Sequence, residues 1–221
     1  MDSKVKTSPL RVVVLISGNG SNLQAIIDDI ANNDVNAQVV AVISNKTDAY
    51  GLTRARKAGI PVEVINHADY GTRKTYDQAL QDKIDHYQAE LVVLAGFMRI
   101  LSDDFVNHYA GRMINIHPSL LPEYQGLNTH QRVLDAGDTE HGASVHFVTH
   151  ELDSGPLILQ AKVPVLNGDS ADTLADRVHD VEHKIYPQVV RWFAERHLSL
   201  QNDEVLFDRE PMTHEQKQYP Q

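Results

Sequence analysis

Among its 221 residues the sequence has no cysteine. That removes disulfides, Cys–zinc sites and thiol nucleophiles together, and it fits a reducing compartment. Positive charge is also scarce: 20 Lys and Arg stand against 30 Asp and Glu, for a net charge of −10. Non-specific nucleic-acid binding relies on Lys and Arg neutralising phosphates, so no nucleic-acid partner is expected. A small anion can still be held where backbone amides create a local positive potential. No apolar run approaches the ~20 residues that span a bilayer, and residues 2–9 are polar, without the apolar centre of a signal peptide. A soluble cytoplasmic protein with no membrane partner is expected. Repeats of 20–50 residues and low-complexity tracts are absent as well.

What is present is a regular alternation. Val12-Val13-Val14-Leu15-Ile16 reads as a buried strand, and Leu23, Ile26, Ile27 and Ile30 then share one helical face. Val39-Val40-Ala41-Val42-Ile43, Pro61-Val62-Glu63-Val64-Ile65, Leu91-Val92-Val93-Leu94-Ala95 and the run from Arg112 to His117 read as further strands. Helices are expected over residues 51–58 and 72–87. Strands apolar throughout and separated by helices indicate a mostly parallel sheet covered on both faces. After residue 140 two runs, 143–149 and 157–165, are joined by a short loop, which predicts antiparallel pairing. A long helix over 171–197 follows, with a kink expected at Pro187. The expected fold class is therefore α/β, a single-domain, Rossmann-like, mostly parallel sheet with helices on both faces and an antiparallel strand near the C-terminal part. A flexible extension is expected over 1–9, the folded domain over 10–200, and a polar tail over 201–221 with a small hairpin before it frays.

Open α/β sheets bind ligands at the carboxyl ends of their strands. The loop Ser17-Gly18-Asn19-Gly20-Ser21-Asn22 lies at such an end. Its glycines allow close backbone approach, the next helix offers unpaired amides, and Ser21 or Asn22 can cap that helix. A tight, well-capped turn with nothing bound is the plain alternative. Leu23 occupies the third glycine position of a dinucleotide fingerprint, and Ser44-Asn45 supplies no acidic residue for a ribose. A single phosphate fits better than a dinucleotide.

Asn115 and His117 are two apart on a strand, so their side chains share one side. An amide can donate to a developing oxyanion and an imidazole can exchange a proton near neutral pH. Asp153, in a Gly- and Pro-containing turn, is a candidate to orient that imidazole. Taken alone, Asn-x-His on a strand is a weak signal, and a hydrogen-bonded structural histidine is the better reading of it.

The run Met113-Ile114-Asn115-Ile116-His117-Pro118-Ser119-Leu120-Leu121-Pro122 resembles the hallmark segment of the folate-dependent formyltransferase family. So do the stretch from Gly142 to Pro156 and the opening loop, and the similarity extends to the Glu182-His183 region, nearly the whole chain. Within the family the resemblance is to members that formylate glycinamide ribonucleotide in purine biosynthesis, with 10-formyltetrahydrofolate as donor and no metal. It implies that Asn115, His117 and Asp153 are the catalytic trio. It assigns Gly20, Ser21, Asn22 and Glu182 to the ribotide; without it, Glu182 would pass for an ordinary helix residue. It assigns Arg73, Met98, Arg99, Ile100, Leu101 and the segment Thr149, His150, Glu151, Leu152 and Asp153, together with Asn115, to the folate. Read without it, Met98, Ile100 and Leu101 are core residues and Arg73 is a solvated helix residue. Glu123-Tyr124-Gln125 and Asn128-Thr129-His130 receive no role. The partners implied are small molecules, the ribotide and a reduced folate, bound by a monomer or homodimer.

Two patterns imitate metal sites. His179-Asp180-Val181-Glu182-His183 spells H-x-x-E-H, with both histidines on one helical face, but no third ligand is evident. His141, His146 and His150 also cluster in sequence, yet the strand reading separates their directions. A nicotinamide-dependent oxidoreductase, a formyltetrahydrofolate hydrolase and a non-catalytic ribotide- or folate-binding protein are the rival readings. The hydrolase is expected to carry an extra N-terminal domain, and transfer to initiator tRNA a further C-terminal domain with a basic surface.

Overall fold

The computed structural model describes residues 8–220. The extension expected over 1–9 falls, apart from Ser8 and Pro9, outside the described residues. Seven strands, β1 (Leu10–Ile16), β2 (Ala37–Ser44), β3 (Val62–Val64), β4 (Leu91–Leu94), β5 (Met113–His117), β6 (Glu140–Phe147) and β7 (Leu157–Pro164), form one sheet in the order β3-β2-β1-β4-β5-β6-β7. Pairings from β3 through β5 are parallel, and β6 runs antiparallel to both of its neighbours. The α/β class and the antiparallel strand expected from the sequence are thus what the chain adopts.

The strands are apolar throughout because both faces are covered. Val12, Val14 and Ile16 pack with α1 (Ser21–Asn32) and α6 (Ala171–Ala194). Val13 and Leu15 face the other way, onto α3 (Arg73–His86) and α4 (Asp103–His108). Side-chain alternation therefore divides one valine-rich run between two cores. Leu80 and Ile84 of α3 are fully buried, and each such side chain contributes about 1.5–3 kcal/mol. Two short helices, α2 (Tyr50–Lys57) and α5 (Thr129–Ala136), complete the layers. Reciprocal Thr72–Thr75 and Ser170–Thr173 capping boxes set the starts of α3 and α6. Helix α6 runs continuously past Pro187 and ends at Ala194.

Strand order reverses between β1 and β4, because β2 lies on one side of β1 and β4 on the other. That reversal opens a crevice where the loops after β1 and β4 diverge. Tyr186 of α6, fully buried, donates to the carbonyls of Leu94 at 2.8 Å and Ile114 at 3.2 Å, which fixes α6 against β4 and β5.

Beyond α6 a second sheet forms from β8 (Leu198–Gln201), β9 (Glu204–Phe207) and β10 (Glu210–Pro211). Asn202 and Asp203 make the β8–β9 turn at φ 51° and 61°, left-handed values that Asn and Asp tolerate. The chain then returns to the large sheet, where Gln218 bridges Gln160 on β7.

Candidate active site

The loop after β1 is shaped by backbone contact. Gly20 sits at φ 74°, and a Cβ there would lie 2.6 Å from Gly51 Cα, so only glycine fits. Gly20 is itself the N-cap of α1, and no side chain caps the helix. The expectation that Ser21 or Asn22 would do so is corrected: Asn22 Nδ2 donates instead to Glu182 Oε2 at 2.8 Å. An uncapped helix start with a left-handed glycine leaves amides facing the crevice, the arrangement suited to an anion. Arg54 grips the loop from outside, with Nε on the Asn19 carbonyl and Nη2 on Asn19 Oδ1, both at 2.9 Å. Ser17 ties the loop to the rest of the crevice, accepting from Met98 N at 2.8 Å and donating to Asn45 at 2.6 Å.

Asn115, His117 and Asp153 converge. His117 donates from Nε2 to the Tyr124 carbonyl at 2.9 Å and turns Nδ1 to Asp153 Oδ2 at 3.4 Å. Both ring nitrogens thus face acceptors, a set that the doubly protonated ring satisfies. The Gly126 amide holds Asp153 Oδ2 at 3.0 Å. Asn115 Nδ2 is 3.2 Å from His146 Nε2, and His146 Nδ1 donates to the Phe147 carbonyl at 2.8 Å. That second bond fixes the tautomer, leaving Nε2 as acceptor for one hydrogen of Asn115 and the other hydrogen free. Burial lowers the pKa of His146 and so favours its neutral form. Asp153 reaches this group from a loop at φ 49° that folds back over β5, and Gly155 is pressed against the Phe147 carbonyl.

Two clefts lie on this side of the sheet, lined by different residues of the segments 94–99 and 115–116. One, of about 310 Å³, is bounded by residues 17–22, Gly96, Met98, His130, His179 and Glu182. Its glycine loop and buried carboxyl are polar. Burial raises the pKa of Glu182, which the Asn22 hydrogen bond partly opposes. The other, of about 130 Å³, has Asn115, His146 and Asp153 at its inner end and residues 99–101 and 149–152 along its walls. Met98, Ile100 and Leu152 stand exposed at 64%, 61% and 58%. The core reading of Met98 and Ile100 is therefore overturned; Ile100 and Leu152 form apolar lips on the smaller cleft, suited to a flat ring, and Met98 lines the other. A larger hollow of about 570 Å³ lies elsewhere, between α6, β7 and the C-terminal segment. Its walls hold Trp192, Phe207 and Tyr219 and none of the groups above.

A sequence model described as formyl transferase matches residues 10–190. The chain belongs to the formyl transferase family. It is 57% identical over 199 residues to the phosphoribosylglycinamide formyltransferase of Escherichia coli (strain K12), covering 90% of this chain and 94% of that one. The enzyme of the same name from Haemophilus influenzae is 46% identical, over 90% and 93% of the two chains. A solved phosphoribosylglycinamide formyltransferase of Coxiella burnetii superposes with a TM-score of 0.92 at 54% identity, covering 96% of this chain and all of that one.

Against this formyl transferase frame, Gly20, Ser21, Asn22 and Glu182 all border the larger cleft. Of the residues assigned to the folate, Met98 lines that cleft too, and Arg73 lies outside both, on the first turn of α3. The others assigned to the folate line the smaller cleft. Sequence reasoning missed Tyr124, Gly126 and His146. Tyr124 and Gly126 act through a carbonyl and an amide, which carry no side-chain signal, and His146 was read as a decoy. The histidines of that decoy take separate partners: His141 bonds His130 at 3.0 Å, His146 faces Asn115, and His150 faces Asp103 at 3.3 Å. Burial pushes His141 down to about 4 and lowers His130 as well. His179 and His183 stack with centroids 6.3 Å apart. No group of three metal-binding side chains exists among the described residues.

Proposed function

We propose that this chain transfers the formyl group of 10-formyltetrahydrofolate to the amine of glycinamide ribonucleotide, a step of purine biosynthesis. The observation that carries the reading is the contact of His117 with Asp153, which with Asn115 lines the smaller cleft beside the one bounded by the glycine loop. The relatives' names and the family match support it. In this scheme the ribotide phosphate sits on the loop at residues 20–22, and Glu182 faces the glycinamide end. The folate ring enters between residues 99–101 and 149–152.

The amine attacks the formyl carbon, forming a C–N bond and an oxyanion while the nitrogen becomes cationic. Asn115 donates its free amide hydrogen to that oxygen. His117 exchanges its longer contact, to Asp153, for the oxyanion, and Asp153 keeps the ring charged and relays the proton released by the amine. Collapse of the intermediate breaks the bond to the folate nitrogen, which leaves with a proton. No metal takes part. All these groups come from one chain, so a monomer holds the complete site, and a homodimer would hold two. No described helix is long and apolar enough to cross a membrane; the cytoplasm, where both substrates are soluble, is the proposed location.

The test is a formyl-transfer assay with both substrates, repeated with His117→Ala. No transfer by the unaltered protein would sink the substrate assignment. Transfer undiminished in the variant would remove His117 from the mechanism.

Two further outcomes follow from the ribotide cleft. Arg54→Ala should raise KM for the ribotide about tenfold, equivalent to about 1.4 kcal/mol, with kcat nearly unchanged, because the loop loses its bidentate clamp and not a reacting group. An unchanged KM would show that the glycine loop holds its shape unaided. Glu182→Gln concerns stability as well. Because burial raises the carboxyl pKa, the folded chain holds this proton more tightly than the unfolded chain does. Folding is therefore weakened as pH rises from the unfolded carboxylate range, about 4.3, through the raised value. The Gln variant should melt at a higher temperature than the unaltered protein at neutral pH and at a similar one near pH 4, while its ribotide KM rises. Equal melting temperatures at neutral pH would contradict a buried, strained carboxylate.

A further inference from the structure

Ser144 and Gln160, on the last two strands of the sheet, are polar and buried at 0% and 7% exposure, and the mechanism above uses neither. The register explains their company: Ser144 on β6 pairs with His117 on β5 and with Gln160 on β7. Gln160 in turn bridges Gln218 of the C-terminal segment, which bonds its backbone through Lys217 O at 2.8 Å and Tyr219 N at 2.7 Å. One cross-strand row therefore runs from the returning chain end to the histidine of the candidate site.

The side chains of this row bind the loop that follows His117. Ser144 Oγ donates to the Ser119 carbonyl at 2.6 Å and accepts from Leu121 N at 3.1 Å. Gln160 Nε2 donates to Ser144 Oγ and to the Leu121 carbonyl, each at 2.9 Å. The hydroxyl has spent its one donor and both acceptor sites, and the amide nitrogen both hydrogens. Further along, Ser119 Oγ donates to the Glu123 carbonyl at 2.6 Å, and the next residue, Tyr124, supplies the carbonyl that accepts from His117 Nε2. The loop's height over the sheet is set by two side chains from neighbouring strands, and that height decides where the Tyr124 carbonyl meets the imidazole.

We infer that Ser144 and Gln160 are positioning residues for formyl transfer, which hold residues 119–124 so that the Tyr124 carbonyl orients His117. The inference rests on the function proposed above. An apolar pair in the same places would pack the sheet equally well but leave three backbone groups of the loop without partners. Saturated buried networks of this kind specify one geometry.

The experiment compares Ser144→Ala, Gln160→Met and Gln160→Asn, the last keeping the amide but withdrawing it by one methylene. Each should lower kcat about tenfold or more, as expected for a slightly misplaced reacting group, with KM for both substrates nearly unchanged. The pH profile of kcat should shift, and the ring-nitrogen resonances of His117 should move in the folded, substrate-free protein. Combining Ser144→Ala with Gln160→Met should cost less than the product of the separate losses, because both act on one loop. Folded variants with unaltered kcat and unaltered His117 resonances would overturn the inference. Should Ser144→Ala not fold, Gln160→Asn decides by the same two readings. If the unaltered protein transfers no formyl group, the functional reading fails by itself, and the His117 resonances still decide the positioning.

Discussion

Asp153→Asn is expected to lower kcat by about 10²- to 10⁴-fold and to leave both KM values within about threefold. The substitution is nearly isosteric, so the loop should stay in place. The Gly126 amide, 3.0 Å from Asp153 Oδ2, still requires an acceptor. The asparagine oxygen therefore takes the Oδ2 place, accepting from Gly126 and facing His117 Nδ1, and its amide takes the Oδ1 place, 3.8 Å from His146 Nε2. His117 keeps an acceptor at each ring nitrogen, with Nε2 on the Tyr124 carbonyl. What is lost is the negative charge beside the imidazole and the base proposed to take up the proton released by the amine. Steady-state kinetics with both substrates checks this. Activity near that of the unaltered protein would remove Asp153 from the mechanism.

Gly155→Ala, in the same loop, is expected to lower both stability and turnover. A Cβ at position 155 would lie 1.8 Å from the Phe147 carbonyl oxygen and 2.9 Å from its carbon. These are backbone atoms of β6, which also accepts and donates along the β5 ladder, so they have little freedom to yield. The turn must move, and Asp153, two residues earlier, moves with it. Overpacking of this kind costs about 1–3 kcal/mol, visible as a lowered melting temperature. A displacement near 1 Å at the reacting groups adds a loss of about 10²-fold in kcat. An alanine variant with unchanged melting and turnover would show that the loop can re-form around the methyl group.

These predictions draw unequally on the sequence. Strands such as Leu91–Leu94 declare themselves because a strand covered on both faces is apolar at every position. The period of α3 is equally plain, with Tyr76, Leu80 and Ile84 buried in one stripe. Helices α4 and α5, of six and eight residues, are too short for a period to emerge. The polar composition after residue 200 gives no sign that this segment reaches back to β7, since the pairing uses backbone groups. At the site, Asn115, His117 and Asp153 are legible as residue types, but their meeting depends on a loop that reverses over the sheet. Asn22 was misread as a cap because its true partner, Glu182, is 160 residues away. Met98 and Ile100 look like core in sequence because hydrophobicity does not state whether a loop is covered.

Glu182 and Tyr186 are four residues apart on α6, a rise of about 6 Å. Most of what holds that helix to the sheet is apolar packing, which has no preferred direction and resists sliding weakly. The Tyr186 hydroxyl is different, because two strand carbonyls define a single seat for it. The helix thereby works as a gauge whose zero mark is the seat on β4 and β5. Its reading, one turn away, is the depth at which the carboxyl group of Glu182 stands in the cleft of the glycine loop. Under the proposed function, the spacing between acceptor amine and formyl carbon is accordingly calibrated against the same strand, β5, that carries Asn115, the proposed oxyanion donor.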